Sequence, residues 1–196
     1  MDDLRAALAA KLQLAETEAG RSQERWYLPI DRAFLVKGHG LVVTGTLMQG
    51  VIREGETAVV QPGGLETKVR GIQSHDLDLD HAEFGQRTAL QLAGLGLEEV
   101  HRGMAVGAPG VLFESECVDF HLEWRDRPRH GSRVRVSLGA AEGIGKVFLS
   151  EEDEAVAQVR FERPIAVAQG QPMIVRRYSP PDLLAGGRVA VPVAVP

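Results

Sequence analysis

Cysteine is nearly absent from this sequence: Cys117 is the one thiol in 196 residues. That excludes an internal disulfide framework and any zinc centre built on several cysteines. It fits a reducing cytoplasm. Aromatic residues are few, with six Phe, two Tyr and two Trp, so the core must rest on Val, Leu, Ile and Ala. A basic excess is also missing. Lys and Arg number 22 against 27 Asp and Glu, which leaves a net charge of −5. A protein that grips nucleic acid by bulk charge is basic, so any RNA contact here has to be local. Long apolar runs do not occur. None approaches the roughly 20 residues of a membrane-spanning helix. The opening MDDLR is not the basic and then apolar start of a secretory signal. No membrane partner is expected.

What the chain has in quantity is glycine, 22 residues, with 10 prolines beside them. Its length suits one large or two small domains. Residues 2–19 carry Leu4, Leu8 and Leu12 at every fourth position, acidic residues at the start and Gly20 after the end. That pattern predicts one short N-terminal helix. From Trp26 the texture changes to short β-rich runs: LVVTGTLMQG (41–50), TAVVQP (57–62), LETKVRGIQ (65–73) and QRTALQLAG (86–94). A second set follows, with CVDFHLEW (117–124), SRVRVSLG (132–139), VAQVRFER (156–163), QPMIVRRYS (171–179) and GGRVAVPVAV (186–195). In SRVRVSLG, Val134, Val136 and Leu138 alternate with Arg133, Arg135 and Ser137, as in a half-buried strand. Closely spaced strands with turn signals between them predict an all-β protein of two consecutive barrels behind one short helix. The predicted segments are 1–20 for the helix, 26–112 for the first barrel and 116–196 for the second. GAPGVLFES (107–115) is the expected join.

Several stretches imitate catalytic or ligand-binding motifs. PIDRAFLVKGHGLVVTG (29–45) has the glycines of a phosphate loop, but such a loop opens a helix. Here β-branched Val42 and Val43 follow the glycines. GIGKV (143–147) fails as a nucleotide loop because Ala140 replaces the first glycine and Val147 the magnesium-binding hydroxyl residue. HDLDLDH (75–81) has alternating carboxylates but lacks the glycine and distal glutamate of a calcium loop. It is expected to be an acidic loop or an edge strand, and no metal site is expected. No nucleophile triad stands out. Asp31, Arg32 and Arg87 are charges inside β-rich runs. Periodicity alone leaves open whether they line a polar pocket or face solvent.

The wording of LPIDRAFLVKGHGLVVTGTLMQGVIREGE (28–56) closely resembles the start of domain II in translational GTPases of the elongation factor Tu type. DRAF and VVTGT are most similar to the selenocysteine-specific elongation factors. The resemblance continues through VRGIQSHD, GQRTALQLAG and HRGMAV, then through LGAAEGIGKV and RRYSPPDLLAGGRV of the second barrel. There the family more usually has Thr-Ile-Gly-Gly-Gly, where this chain has Leu184, Ala185, Gly186 and Gly187.

The resemblance implies domains II and III of such a factor, which delivers selenocysteinyl-tRNA to the ribosome in the cytoplasm. GTP and magnesium would belong to a GTPase domain whose last helix is residues 2–19. This chain alone is therefore expected to carry no cofactor and no catalytic residue, and not to be an enzyme. Messenger-RNA recognition would belong to winged-helix domains beyond it. The family's aminoacyl pocket falls on Asp31, Arg32, Phe34, Thr44 and Arg87, and its terminal-adenosine contact on Gln73 and His75. The general elongation factor has an acidic residue at the place of Arg32 and asparagine at that of Arg87. A selenocysteine side chain is a selenolate at neutral pH. Arginine keeps its charge there and offers directed donors, so Arg32 and Arg87 would favour it over neutral serine. Asp31 would orient an arginine or hold the α-amino group. The alternatives are a generic barrel pair of a translational GTPase and a protein-interaction module.

Overall fold

The computed structural model describes residues 25–195. The helix predicted over 2–19 lies outside the described residues. The first unit runs β1 (Tyr27–Pro29), β2 (Arg32–Val36), β3 (Gly40–Thr46), β4 (Val51–Arg53), β5 (Thr57–Gln61), β6 (Leu65–Ser74), β7 (Leu77–Leu79), β8 (His81–Glu83), β9 (Arg87–Leu92) and β10 (Ala105–Gly107). The second runs β11 (Leu112–Trp124), β12 (Arg133–Leu138), β13 (Ala141–Leu149), β14 (Val156–Ala168), β15 (Pro172–Arg177) and β16 (Leu183–Val191). All strand pairs in both units are antiparallel.

The first sheet has the order β1-β10-β5-β6-β9-β3-β2, with β7 on β6 and a separate β4-β8 pair. It curls around a core that includes Trp26, Leu28, Ile30, Leu41, Val43, Leu90 and Val106. Alternation sets which side chains enter. In β3, Leu41, Val43 and Gly45 point in while Val42, Thr44 and Thr46 point out. Gly45 marks where β1 crosses β3. A Cβ there would lie 2.2 Å from the Pro29 carbonyl oxygen and 2.5 Å from a Leu28 methyl, so only glycine permits the crossing.

The second unit is a closed barrel in the order β11-β14-β13-β12-β15-β16. Val134, Val136 and Leu138 point in, as the sequence alternation predicts, and meet Phe120, Val147, Val159 and Phe161. The two Phe rings pack edge to face at 6.4 Å. The join is shorter than expected. Gly107 still belongs to β10 and Leu112 already begins β11, so only 108–111 lies between strands. The reason is packing: Ala105, Val111 and Leu112 are buried with Tyr27, Ala166 and Ala168 in a third cluster that joins the two units. Gly63 N–H also donates to Glu114 Oε2 across the units at 2.7 Å. Burial in this contact pushes the Tyr27 phenol up to about 12, against the pull of Arg188.

Candidate functional site

The glycine-rich stretch forms the hairpin between β2 and β3. Val36 pairs with Gly40, and His39 N–H donates to the Val36 carbonyl at 3.0 Å. Gly38 and Gly40 have φ of 87° and 77°, and nothing lies within 4 Å of a Cβ built at either. They serve the left-handed conformation of a tight turn. The turn joins two antiparallel strands, and a strand rather than a helix follows it, as Val42 and Val43 imply.

The outer face of the first sheet is built in rows fixed by register. Arg32 pairs with Thr44, Thr44 with Ala89, Ala89 with Gln73, and Gln73 with Asp78. The next row is Phe34, Val42, Gln91 and Gly71. Inward neighbours Leu41, Val43, Leu90 and Ile72 are buried, so both rows face out. The register of β6 against β9 shifts between Val69 and Gly71, as at a β-bulge. On this face lies a cavity of about 570 Å³ whose lining includes Phe34, Thr44, Gly71, Gln73, Asp78 and Gln91. Gln73 Nε2 donates to Asp78 Oδ1 at 2.7 Å. Gln91 Nε2 donates to the His39 carbonyl, tying the hairpin to the cavity.

At the edge of this face three predicted residues meet. Thr44 Oγ1 donates to Asp31 Oδ1 at 2.7 Å, and Arg87 Nη1 donates to Asp31 Oδ2 in an ion pair. Burial works to raise the Asp31 carboxyl, but bonds from Arg87 and Thr44 and the charges of Arg87 and Arg32 outweigh it. The carboxyl is held below its ordinary value. Its bond to Asp31 in turn raises Arg87. The Arg87 side chain is 51% exposed and that of Asp31 27%. Arg32 is exposed and acts on Asp31 through its charge, but it is Arg87 that makes the ion pair. Two guanidinium charges and one carboxylate leave this cluster at +1.

The structure therefore brings Asp31, Thr44 and Arg87 together and places Phe34, Thr44 and Gln73 on one cavity. It does not place Arg32, Arg87 or His75 in the cavity lining. His75 lies beside it, with Nδ1 3.1 Å from Ser74 Oγ, which donates to the Arg87 carbonyl. The segment 75–81 is not a loop throughout. His75 and Asp76 form a two-residue turn with φ of 52° and 62°, and β7 follows as an edge strand on β6. Gln91, Gly71 and Asp78 escaped the sequence reading. A signal existed: Gly71 and Gln73 share a face, and Gln91 is a polar residue at an outward position of β9.

The second barrel carries a cationic row on its outer face. Arg133 pairs with Lys146 and Lys146 with Arg160, while Arg135 pairs with Arg176. Glu162 accepts from Arg133 at 2.7 and 2.8 Å, and Glu142 accepts from Arg135 at 2.7 Å. The Arg133 and Arg135 guanidinium groups lie over the Tyr178 ring at 4.1 and 5.0 Å, and Arg160 lies over Phe148 at 4.2 Å.

Comparison with known proteins places these two units. Residues 40–107 match the family described as elongation factor Tu domain 2. Residues 115–194 match the β-barrel domain of the selenocysteine-specific elongation factor. The chain belongs to the selenocysteine-specific elongation factor family. The factor of that name from Desulfomicrobium baculatum is 39% identical over 88% of this chain and 29% of its own length. That of Escherichia coli K12 is 33% identical over 97% of this chain and 30% of its own. A crystal structure of a bacterial selenocysteine-specific elongation factor superposes with a TM-score of 0.78 and 28% identity, covering 96% of this chain and 31% of that one. The chain thus spans about three tenths of the length of its family relatives. The matched domain 2 segment includes Thr44, Gln73, His75 and Arg87 but begins after Asp31, Arg32 and Phe34.

Proposed function

We propose that these two barrels, 26–112 and 116–196, hold the aminoacylated 3′ end of selenocysteinyl-tRNA within a longer elongation factor. The observation that carries the reading is the Asp31–Thr44–Arg87 cluster, with Arg32 beside it, at the edge of the 570 Å³ cavity. A cluster with one surplus positive charge suits an anionic side chain and offers a neutral one no charge partner. The fixed donors are guanidinium groups, which no physiological pH discharges. Phe34 and Thr44 complete the aminoacyl pocket. The adjoining cavity suits a terminal adenosine: Gln73 presents an amide for a base edge, and His75 stands next to it. The cationic row of the second barrel serves the tRNA backbone. It is the local positive surface that a chain of net charge −5 requires. GTP and magnesium bind in a domain outside this chain, which itself hydrolyses nothing. The complete factor works with the ribosome in the cytoplasm.

The test is binding of selenocysteinyl-tRNA and seryl-tRNA to the factor that contains this chain, with Arg32→Ala and Arg87→Ala. Loss of a charged hydrogen bond predicts about tenfold or greater weakening for the selenocysteinyl form. The seryl form should change little. Equal losses for both would remove the reading.

A further inference from the structure

We infer that Gln91 is a positioning residue that holds the β2–β3 hairpin in place as one wall of the cavity, and that Gly71 makes room for it. This rests on the reading above that the cavity takes the 3′ end. β2 is the last strand of its sheet and pairs with β3 alone. Beyond Val36 the turn 37–39 is exposed, and one backbone bond closes it, from His39 N–H to the Val36 carbonyl. A Cβ at Gly38 or Gly40 would meet nothing within 4 Å, so no neighbour packs on the tip there. Yet this lightly held hairpin supplies two lining residues, Val36 and His39. Among the described residues, the one side-chain hydrogen bond to the turn runs from Gln91 Nε2 to the His39 carbonyl.

Register puts Gln91 between Val42 of β3 and Gly71 of β6. Its side chain lies over Gly71. The atoms within 4 Å of a Cβ built at Gly71 both belong to Gln91, Oε1 at 3.2 Å and Cβ at 3.8 Å. Gly71 is not among the glycines at positive φ, so its backbone conformation does not demand glycine. A strand interior is otherwise weakened by the lack of a side chain, and what the glycine provides here is space for the Gln91 amide. With its nitrogen turned to the hairpin, Gln91 acts on a ligand through the wall it holds. When the hairpin opens, Val36 and His39 leave the cavity without one side, so only the closed fraction of molecules binds. A terminal adenosine is common to every aminoacyl-tRNA. Gln91 therefore sets how long any of them is held, and leaves the choice between selenocysteine and serine to the arginines.

Gln91→Met keeps the length of the side chain and removes the donor. In the 196-residue chain without tRNA, the His39 amide should then exchange with solvent about fivefold faster, the size of one lost hydrogen bond. Gly71→Ala should do the same with Gln91 intact, and should add little on top of Gln91→Met. Gln91→Lys brings back a donor without the amide oxygen and should restore slow exchange. In the factor that contains this chain, Gln91→Met and Gly71→Ala should speed dissociation of selenocysteinyl- and seryl-tRNA alike, by about three- to tenfold, with the ratio between the two unchanged. An unchanged His39 amide in Gln91→Met, or wild-type behaviour of Gly71→Ala, overturns the inference. So does an effect of Gln91→Met on one tRNA only, or a Gln91→Lys chain as loose as Gln91→Met. Gln73→Ala separates this inference from the reading beneath it. If Gln73→Ala weakens both tRNAs while Gln91→Met loosens the hairpin and weakens neither, the role of Gln91 fails and the 3′-end reading stands. If neither variant weakens either tRNA, it is the 3′-end reading that fails, and the role of Gln91 falls with it.

Discussion

Asp31 has a charge state fixed by its neighbours. Its folded carboxyl is held below the ordinary value, so the pair with Arg87 stabilises the fold at any pH above the ordinary aspartate range. That contribution fades as pH falls through the depressed value. The stability difference between wild type and Asp31→Asn should be constant from pH 7 to about 5 and shrink toward zero below about pH 4. Denaturant midpoints across that range measure it. A difference as large at pH 2 as at pH 7 would contradict the ion pair. Asp31, Arg32 and Arg87 were legible as charges in β-rich runs. Their meeting was not, because Asp31 and Arg87 are 56 residues apart and strand periodicity says nothing about which distant strand lies alongside.

The elements that shape the site make two further predictions. The turn at His75 and Asp76 holds two residues with side chains at positive φ, where glycine rests at lower cost. Asp76→Gly should stabilise the chain by about 0.5–1 kcal/mol, seen as a raised denaturant midpoint. A fall in midpoint would mean that the Asp76 carboxylate supports the hairpin more than its backbone strains it. The cationic row makes the second prediction. Lys146→Ala with Arg160→Ala should weaken selenocysteinyl- and seryl-tRNA alike and lower the slope of log affinity against log salt by about 0.9 for each phosphate no longer neutralised. An unchanged slope would remove the row from the tRNA surface. The sequence showed the alternation that turns Arg133 and Arg135 outward. It did not show that Lys146 and Arg160 complete their row, because that depends on the register of β13 against β12 and β14.

At the scale of the molecule, Tyr27 reports on how the two barrels sit together. It lies in the cluster shared by both units, and burial raises its phenol to about 12. The stability that comes from keeping it neutral is whole below pH 10, the ordinary value. It is lost as pH rises from there toward 12. Tyr27→Phe should flatten this alkaline loss in denaturant titrations between pH 9 and 12. An unchanged alkaline limb would place the tyrosine outside the contact that matters.

The sequence by itself determined the strand content, the faces of the alternating strands, the glycine turns and the wording shared with the selenocysteine-specific elongation factors. These are local properties, set by side-chain period and by backbone conformations that a few neighbouring residues dictate. Tertiary structure decided that Arg87 and not Arg32 holds Asp31, that Gly71, Gln73, Asp78 and Gln91 share a cavity, and that the join shrinks to 108–111. Each of these depends on register between strands far apart in the chain. Register follows from the curl of one sheet, the closure of the other and the bulge in β6, which no single stretch of sequence carries.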